Sequence, residues 1–433
     1  MLRLISLSLI IMISLVVQGQ RNEWVNQAII VNSGNFETNP PFIDYVTVQS
    51  YDPVSHAVTV FNTIYTQSAQ DVVINGNKAL VCAQDSIILY DLDTYQRIAA
   101  VADSGISRLY YFDGKLVVTK QWPVTRFFVE ILNATNLALL GLVQNISGDC
   151  GEAICDRDSL YVAVNEGFLG QDGKLAVISI NDWILRRVIN FGQDAIGILN
   201  LFSYDGKIYS VNKSPYGVTN QGSITVYNLN SKTFVNKVFG LKFGEGYGIK
   251  NNLLYLGINN GVGTFDLINQ VIADTIIIPD PGSGNNIFIN SGAVDYVNSQ
   301  LYLNLGNRPP TFGIGVITTT LGDSVTSYTT GINAECMALD YRTPAGIEHV
   351  YNKLNSLSLY PNPVSGILYV TYSGMGKVRD LLVTDITGRQ FYMNRTHHSQ
   401  NRFIVDTSGF PDGIYFLTVR TEEQSLVSKF IKQ

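Results

Sequence analysis

Histidines are too scattered in this sequence to suggest a metal site. The 433 residues contain four of them, His56, His349, His397 and His398. Zinc ligands must converge on one ion, and the adjacent pair lacks the spacing that would place both on one helix face. The sequence also lacks a nucleophilic serine elbow, an HExxH zinc motif and a phosphate loop. We therefore predict no catalytic residue, no bound metal and no cofactor.

Acidic residues form one local group, at Asp149, Glu152, Asp156 and Asp158. Calcium needs six to eight oxygen ligands in a defined loop, and these residues do not follow EF-hand spacing. We therefore interpret them as solvated turn residues.

Aromatic and arginine side chains remain the candidates for ligand binding. An aromatic ring beside an arginine can stack on a planar or sugar ligand, and such residues dominate binding hot spots. The alternative is that individual members simply pack their own loops. The predicted binding set is Trp122, Arg126, Tyr216, Tyr247 and Arg308, with Phe36, Phe42, Phe168, Glu245, Phe288 and Phe312 expected in the same loops.

A repeat must position these side chains. An aliphatic–tyrosine pair opens four predicted strands, and the tyrosines Tyr161, Tyr209, Tyr255 and Tyr302 lie 48, 46 and 47 residues apart. A period in the forties is typical of a propeller blade of four strands. Each copy continues with an alternating strand such as 87–90 or 224–227, closed by a polar turn. Alternation predicts that one face of this strand packs between blades.

Seven copies of the repeat can be counted. Six run from about Asp71 to Gly331, and a seventh begins at 28–32 and 45–48 without the strand that precedes each pair elsewhere. The missing strand is found at 336–341. A blade built from both chain ends closes the ring and removes exposed sheet edges. The prediction is an all-β chain with a seven-bladed β-propeller at residues 28–341.

The glycine-rich segment 244–248 lacks the βαβ context of a dinucleotide fingerprint, so we expect a turn between blades there.

The segment 160–167, LYVAVNEG, followed by GKLAVI at 173–178, resembles the YncE or YVTN propeller repeat. The opening IIVNSGNF at 29–36 is similar to the start of a surface-exposed branch of that group. The resemblance implies the propeller fold and a surface location. Some members of that branch capture cobalamin, but the shared motifs are structural and do not specify a ligand.

Composition and the first residues predict export. Charged residues make up 15% of the chain and hydrophobic residues 46%, which excludes a disordered or coiled-coil protein. A net charge of −6 argues against nucleic-acid binding. One arginine, an apolar run to Val17 and small residues before Gln20 are typical of a signal peptide at residues 1–19. The run is too short for a transmembrane span.

Four cysteines would meet an oxidising environment after export. Cys82, Cys150, Cys155 and Cys336 allow three disulfide pairings, and the sequence does not choose among them. The alternative is that Cys82 and Cys336 are buried as small hydrophobic residues.

The last 77 residues have a different character. Residues 342–356 are predicted to be a linker, and the tail from Leu354 carries eight basic against six acidic residues, whereas the mature remainder is strongly acidic. Short strands separated by Gly, Pro and Asp predict a small Ig-like β-sandwich at 357–433. A YPNP opening, a DxxGR turn, a GxY strand and a basic last strand follow in order. The residues that carry these motifs are Pro361, Asn362, Pro363, Asp385, Gly388, Gly413, Tyr415 and Lys429.

This order of motifs closely resembles the type A C-terminal sorting domain of the type IX secretion system. The resemblance implies interaction with the type IX machinery and passage across the outer membrane of a Gram-negative bacterium, after signal-peptide export to the periplasm. It also implies frequent removal of the tail and attachment to surface lipopolysaccharide. A carbohydrate-binding or adhesive appendage of similar fold is the alternative.

Together these patterns favour a secreted or surface-attached propeller that binds an unknown small molecule, glycan or protein without catalysis. Two alternatives stay open. One is a propeller lyase or hydrolase, which would need carboxylates of perturbed acidity in one pocket. The other is a structural adhesion protein, which would present a flat face.

Overall fold

The computed structural model describes residues 23–35, 44–165, 170–215, 217–218, 220–307, 312–343, 356–373, 378–398, 402–421 and 425–433. The predicted signal peptide and most of the predicted linker lie outside these residues. No helix within the described ranges is long and apolar enough to cross a membrane.

Short β-branched and aromatic runs, each ended by a polar turn, form the strands of the larger domain. The first three are β1 (Trp24–Asn32), β2 (Val46–Tyr51) and β3 (Val58–Ile64). Six groups of four strands follow, and each group forms one antiparallel sheet in chain order. These strands are β4 (Ala69–Asn75), β5 (Lys78–Ala83), β6 (Ser86–Asp91), β7 (Arg97–Ala102); β8 (Ile106–Phe112), β9 (Lys115–Lys120), β10 (Val129–Asn133), β11 (Leu139–Val143); β12 (Cys150–Asp156), β13 (Ser159–Val164), β14 (Gly173–Ser179), β15 (Leu185–Gly192); β16 (Ile198–Tyr204), β17 (Lys207–Asn212), β18 (Ser223–Asn228), β19 (Phe234–Val238); β20 (Phe243–Lys250), β21 (Leu253–Ile258), β22 (Gly261–Asp266), β23 (Val271–Ile278); and β24 (Ile287–Asp295), β25 (Gln300–Asn307), β26 (Gly313–Thr319), β27 (Ser324–Thr329).

The ring closes with one more strand, β28 (Ala334–Arg342), which pairs with β1 in the sheet order β28-β1-β2-β3. Ile29 lies opposite Ala338, and Val31 lies opposite Cys336. We call this sheet blade 1 and the six groups that follow blades 2 to 7. In each blade, the strand nearest the centre of the ring is called the inner strand. The inner strands of blades 1 to 7 are β28, β4, β8, β12, β16, β20 and β24. Each inner strand neighbours the next in a closed ring around a central channel.

Apolar side chains fill the seven interfaces between adjacent blades. Ile29 and Val31 of blade 1, for example, pack with Val81 and Ile88 of blade 2. The repeat tyrosines are part of this packing, and Tyr209 also donates a hydrogen bond of 2.9 Å to the carbonyl of Leu267. Burial of apolar area between blades is therefore the main stabilising contribution to the ring.

The third strands are more buried than the sequence predicts. All side chains at 87–90 and 224–227 are buried, on both faces of the strand. The expectation of one buried face was wrong, because a blade inside a closed ring packs against a neighbour on each side.

The tail forms two further sheets. Its strands are β29 (Ser356–Tyr360), β30 (Ile367–Ser373), β31 (Val378–Asp385), β32 (Gln390–His398), β33 (Arg402–Asp406), β34 (Gly413–Thr421) and β35 (Ser425–Lys432). The sheet orders are β29-β30-β33 and β32-β31-β34-β35. Buried residues of both sheets, including Leu368, Val383 and Phe430, share one core. The predicted all-β propeller followed by a small β-sandwich is thus confirmed.

Candidate functional site

Each inner strand is interrupted near its start by a β-bulge. In β4 and β8 the pairing with the next strand skips Gln70 and Ser107, and in β28 it skips Glu335. The same shift occurs at 150–153, 198–200, 243–246 and 289–291. A bulge re-aims the side chains beside it and is common next to functional sites. Seven bulges at equivalent positions therefore form a ring at one end of the channel.

Charged residues lie beside several of these bulges, and two of them form an ion pair across the channel. Arg108 of blade 3 donates from Nη2 to Oε1 of Glu245 of blade 6 at 2.8 Å. The same guanidinium donates from Nη1 to the carbonyl of Gln70 at 3.0 Å. The Arg108 and Glu245 side chains keep 29% and 38% of their surface exposed, so water in the channel reaches this pair.

Two further carboxyl groups complete this channel cluster, which we define as Asp71, Arg108, Glu152 and Glu245. Asp71 accepts hydrogen bonds of 2.8 Å from the backbone amides of Val72 and Leu109. Burial nevertheless raises the pKa of Asp71, although Arg108 opposes the rise. Burial also raises the pKa of Glu152 to about 8, and the Asp71 carboxylate adds to this effect. Glu152 therefore holds a proton at neutral pH.

A cavity of about 1380 Å³ opens beside the channel cluster. Its wall comes from blades 4 to 7 and from Glu335 on β28, and Glu245 belongs to both the cavity wall and the channel cluster. The wall combines amides, carboxylates and lysines with aliphatic side chains, glycines and a few aromatic rings. They include Asn165, Gln193, Asp194, Lys213, Gln221, Lys242, Asn260 and Asn290, together with Phe243, Tyr247 and Phe288.

Two glycines allow the backbone to form this wall. Gly197 has a positive φ of 61°, and a Cβ there would lie 2.4 Å from Cε of Lys213. A Cβ on Gly257 would lie 2.9 Å from the Cα of Gly244 in the adjacent strand. Larger residues at either position would push a side chain or a strand out of place, so the cavity depends on glycine there.

The described members of the predicted binding set are not brought together. Tyr247 lies in the cavity wall, and burial raises the pKa of its phenol. Trp122 lies in the loop between β9 and β10 with 80% of its surface exposed, and the Arg126 guanidinium lies 5.2 Å from the ring of Phe127. Neither Trp122 nor Arg126 lines the cavity.

The other predicted binding residues fall into two groups. Tyr216 and Arg308, and also Phe36, Phe42 and Phe168, lie outside the described residues. Phe288 lines the cavity, whereas Phe312 is exposed elsewhere.

The predicted turn at 244–248 was wrong, because these residues belong to inner strand β20. The bulge and the small side chains fit a crowded interior. A Cβ on Gly246 would lie 2.6 Å from the ring of Phe202. The glycines therefore mark close packing inside the ring and not a turn between blades.

Sequence reasoning missed Asp71, Arg108 and Asn200, although the repeat contains a signal for them. Asp71, Arg108, Glu152, Asn200 and Glu245 each occupy the third position of an inner strand, and an apolar residue or glycine follows each of them. Asn200 hydrogen-bonds Glu152 and accepts a 2.7 Å hydrogen bond from the Gly246 amide. Alignment of the repeats on their inner strands would reveal this polar position.

The acidic group of the sequence is dispersed. Glu152 faces the channel, whereas Asp156 accepts a hydrogen bond from the hydroxyl of Ser203. Among the residues that the structure describes, no three His, Cys, Asp or Glu side chains are arranged to hold a metal ion. The four cysteines are free thiols, and Cys82, Cys150 and Cys336 are buried.

Several motif residues of the tail lie on its last strand or contact it. The Asn362 side chain donates to the Lys429 carbonyl at 3.2 Å and accepts from the Ile431 amide at 2.9 Å. Tyr415 packs on Phe430 and donates a 2.7 Å hydrogen bond to the Pro411 carbonyl. At the DxxGR turn, Gly388 has a φ of 84° and its amide donates to the carbonyl of Asp385. Asn362 of the YPNP motif thus connects the start of the tail to its basic last strand, β35, through two hydrogen bonds.

The comparisons with known proteins divide the chain in the same way. Residues 358–433 match the family model described as "Secretion system C-terminal sorting domain". No curated protein matches the chain significantly. A quinoprotein alcohol dehydrogenase-like protein of Bacteroides thetaiotaomicron is similar in structure, with 12% identity, a TM-score of 0.52, and coverage of 72% of this chain and 78% of that chain. Hydrazine synthase of Kuenenia stuttgartiensis has 12% identity, a TM-score of 0.50, and coverage of 66% and 90%.

These findings establish the fold and the export route at a coarse level. The structural likeness supports a propeller fold and says nothing about a ligand. The tail match implies interaction with the type IX machinery and export to the cell surface or beyond. This chain therefore carries a type IX sorting domain behind a β-propeller.

Proposed function

We propose that this chain is an exported propeller that binds a polar, hydroxyl-rich ligand, such as a segment of a glycan, in the cavity of blades 4 to 7. The carrying observation is the composition of the cavity wall. Amides, carboxylates and lysines there can donate to and accept from several hydroxyl groups, while Tyr247 and Phe288 offer rings. Concave sites with a few aromatic and convergent polar groups are typical of small-ligand binding.

We propose that residues 1–19 act as the signal peptide that takes the chain to the periplasm before the type IX step. The mature chain would then begin near Gln20. After passage across the outer membrane, the tail would be removed or retained, and the cavity would face the medium in either case.

A glycan microarray probed with residues 20–433 tests the binding proposal. We expect binding to a defined class of glycans. Gln193→Ala and Lys213→Ala should each lower the affinity about tenfold, which corresponds to about 1.4 kcal/mol. Both side chains are exposed in the cavity wall, so neither change should unfold the protein.

Trp122→Ala is the matched control, because Trp122 is exposed at the same end of the propeller but outside the cavity. Its glycan binding should equal that of the parent. If Trp122→Ala lost binding while both cavity variants kept it, the binding site would instead be the loop between β9 and β10, which we call the loop of blade 3. An absence of glycan binding would contradict the proposed ligand class.

An enzymatic role is the second candidate, favoured by the proton that Glu152 holds near neutral pH. A general acid needs such a pKa but also needs contact with the substrate. Glu152 interacts with Asp71, Arg108 and Asn200 and is not part of the cavity wall. We therefore propose binding without catalysis. Turnover of a bound glycan that disappears in Glu152→Gln would support the enzyme instead.

A further inference from the structure

A buried lysine lies between two carboxyl groups in blade 3, apart from the cavity. Lys120 ends β9 and is 5% exposed. Its Nζ contacts the carboxylate of Asp103, which follows the last strand of blade 2. It also lies 2.7 Å from Oε1 of Glu130, on the adjacent strand β10. The side chains of Asp103 and Glu130 are only 12% and 19% exposed.

A loop closes over this lysine cluster, which we define as Asp103, Lys120 and Glu130. The amide of Gln121 donates a 2.7 Å hydrogen bond to the carbonyl of Gly105. A Cβ on Gly105 would lie 2.6 Å from Cγ2 of Val124, so the loop of blade 3 packs directly on the segment that carries Asp103. Bulk water is largely kept from the cluster.

The ion pair with Lys120 leaves one carboxylate oxygen of Asp103 without a hydrogen-bond donor. Asp103 Oδ2 is buried and has no hydrogen-bond partner among the described residues. A buried carboxylate oxygen without a donor carries its full desolvation penalty. A neutral amide in the same place would remove this oxygen and both charges.

We propose that Lys120 and Asp103 condense to an isopeptide bond, with Glu130 as the proton carrier. Glu130 takes a proton from the Lys120 ammonium, and the neutral amine attacks Cγ of Asp103. The N–C bond forms, one C–O bond of the carboxyl group breaks, and Glu130 helps return the protons to the departing oxygen. The ammonium and carboxylate thus yield one amide and one water molecule, with no oxidant or other reactant.

The bond would fasten blade 2 to blade 3 outside the sheet hydrogen bonds. No disulfide does this within the described residues, because the four cysteines are free thiols. An exported propeller would gain from a link that does not depend on redox conditions.

Tryptic peptide mapping of residues 20–433 tests the proposal. Trypsin does not cleave after an acylated lysine. We expect a branched peptide in which Ile98–Arg108 is joined to Leu116–Arg126, lighter than the sum of the two by one water molecule. Fragmentation should place the link between Asp103 and Lys120. Recovery of the three linear peptides 98–108, 116–120 and 121–126 from the folded protein would overturn the proposal.

Three variants separate the bond from other losses of water. Lys120→Arg keeps the positive charge but cannot form the amide, so it should give the linear 98–108 peptide at full mass. Glu130→Gln keeps Lys120 and Asp103 and should reduce the branched peptide at least tenfold. Lys115→Arg is the matched control, because Lys115 lies 3.2 Å from Asp113 in an exposed pair and should leave the branched peptide unchanged. A loss of water that persists in Lys120→Arg would assign it to Asp103 alone and contradict the proposal.

Discussion

The two sides of one propeller end use charged residues differently. On blade 3, a loop closes over the lysine cluster and leaves Trp122 exposed. On blades 4 to 7, glycines and amides leave a cavity, and the channel cluster lies at its edge. Arg108 pairs with Glu245 there but stays protonated at any ordinary pH, whereas a lysine can lose its proton and act as a nucleophile. The enclosed Lys120 can therefore form the proposed covalent bond with Asp103. Arg108, in the open channel, can only form ion pairs and hydrogen bonds with its carboxylate neighbours.

Removal of Lys120 should have the largest effect on stability. Lys120→Met leaves the carboxylates of Asp103 and Glu130 buried without a cation and removes the proposed cross-link. We expect the free energy of unfolding to fall by about 3–5 kcal/mol. Chemical denaturation measures this, with Lys115→Met of the exposed pair as control at about 0.5 kcal/mol or less. Equal losses in both variants would contradict the special role of the enclosed pair.

Arg108→Met should have the next largest effect. It leaves Asp71 and Glu245 without their cation, and we expect a loss of about 2–3 kcal/mol, because water in the channel screens part of the repulsion. Differential scanning calorimetry against Arg186→Met, whose partner Asp182 is at the surface, is the measurement. A change no larger than in the control would show that the channel cluster contributes little to stability.

The channel cluster should also make stability depend on pH through Glu152. Its pKa is about 8 in the folded protein, against 4.5 for an ordinary glutamate. The folded state therefore binds more protons than the unfolded state between these pH values. The contribution of protonated Glu152 to the free energy of unfolding is fully present below about pH 4.5 and is lost as the pH rises through about 8.

Glu152→Gln removes that dependence. Between pH 5 and pH 9, the free energy of unfolding in urea should fall more steeply for the parent than for the variant, which keeps only the smaller dependence that comes from the raised pKa of Asp71. The variant should be the more stable protein above pH 8. Parallel pH profiles would contradict the raised pKa.

Trp122→Ala should have the smallest effect. The side chain is 80% exposed, so its removal should change the free energy of unfolding by no more than about 0.5 kcal/mol. A thermal melt checks this. A large decrease would mean that Trp122 packs the loop over the lysine cluster.

The fold could be predicted because its signal is repeated. The spacing of Tyr161, Tyr209, Tyr255 and Tyr302 reflects one packing position in successive blades, and each tyrosine is buried. The YPNP tail was equally predictable, because its motifs follow one another within a short stretch of sequence that folds into one small sandwich.

The site was harder to predict, for physical reasons. Arg108 and Glu245 are 137 positions apart and meet only because the ring closes. Bulges in the inner strands re-aim these side chains, and a bulge has no strong sequence signature when Gln70 or Ser107 occupies it. Trp122 was predicted from its aromatic ring, whereas the cavity wall combines amide, charged and aliphatic side chains with glycines.

The central claim is that the cavity of blades 4 to 7, and not the loop of blade 3, binds the ligand. A crystal structure of residues 20–433 soaked with the glycan that binds most strongly on the array tests it most directly. The account predicts ligand density in contact with Gln193, Lys213 and Tyr247. Density on Trp122 and Arg126, with an empty cavity, would contradict it.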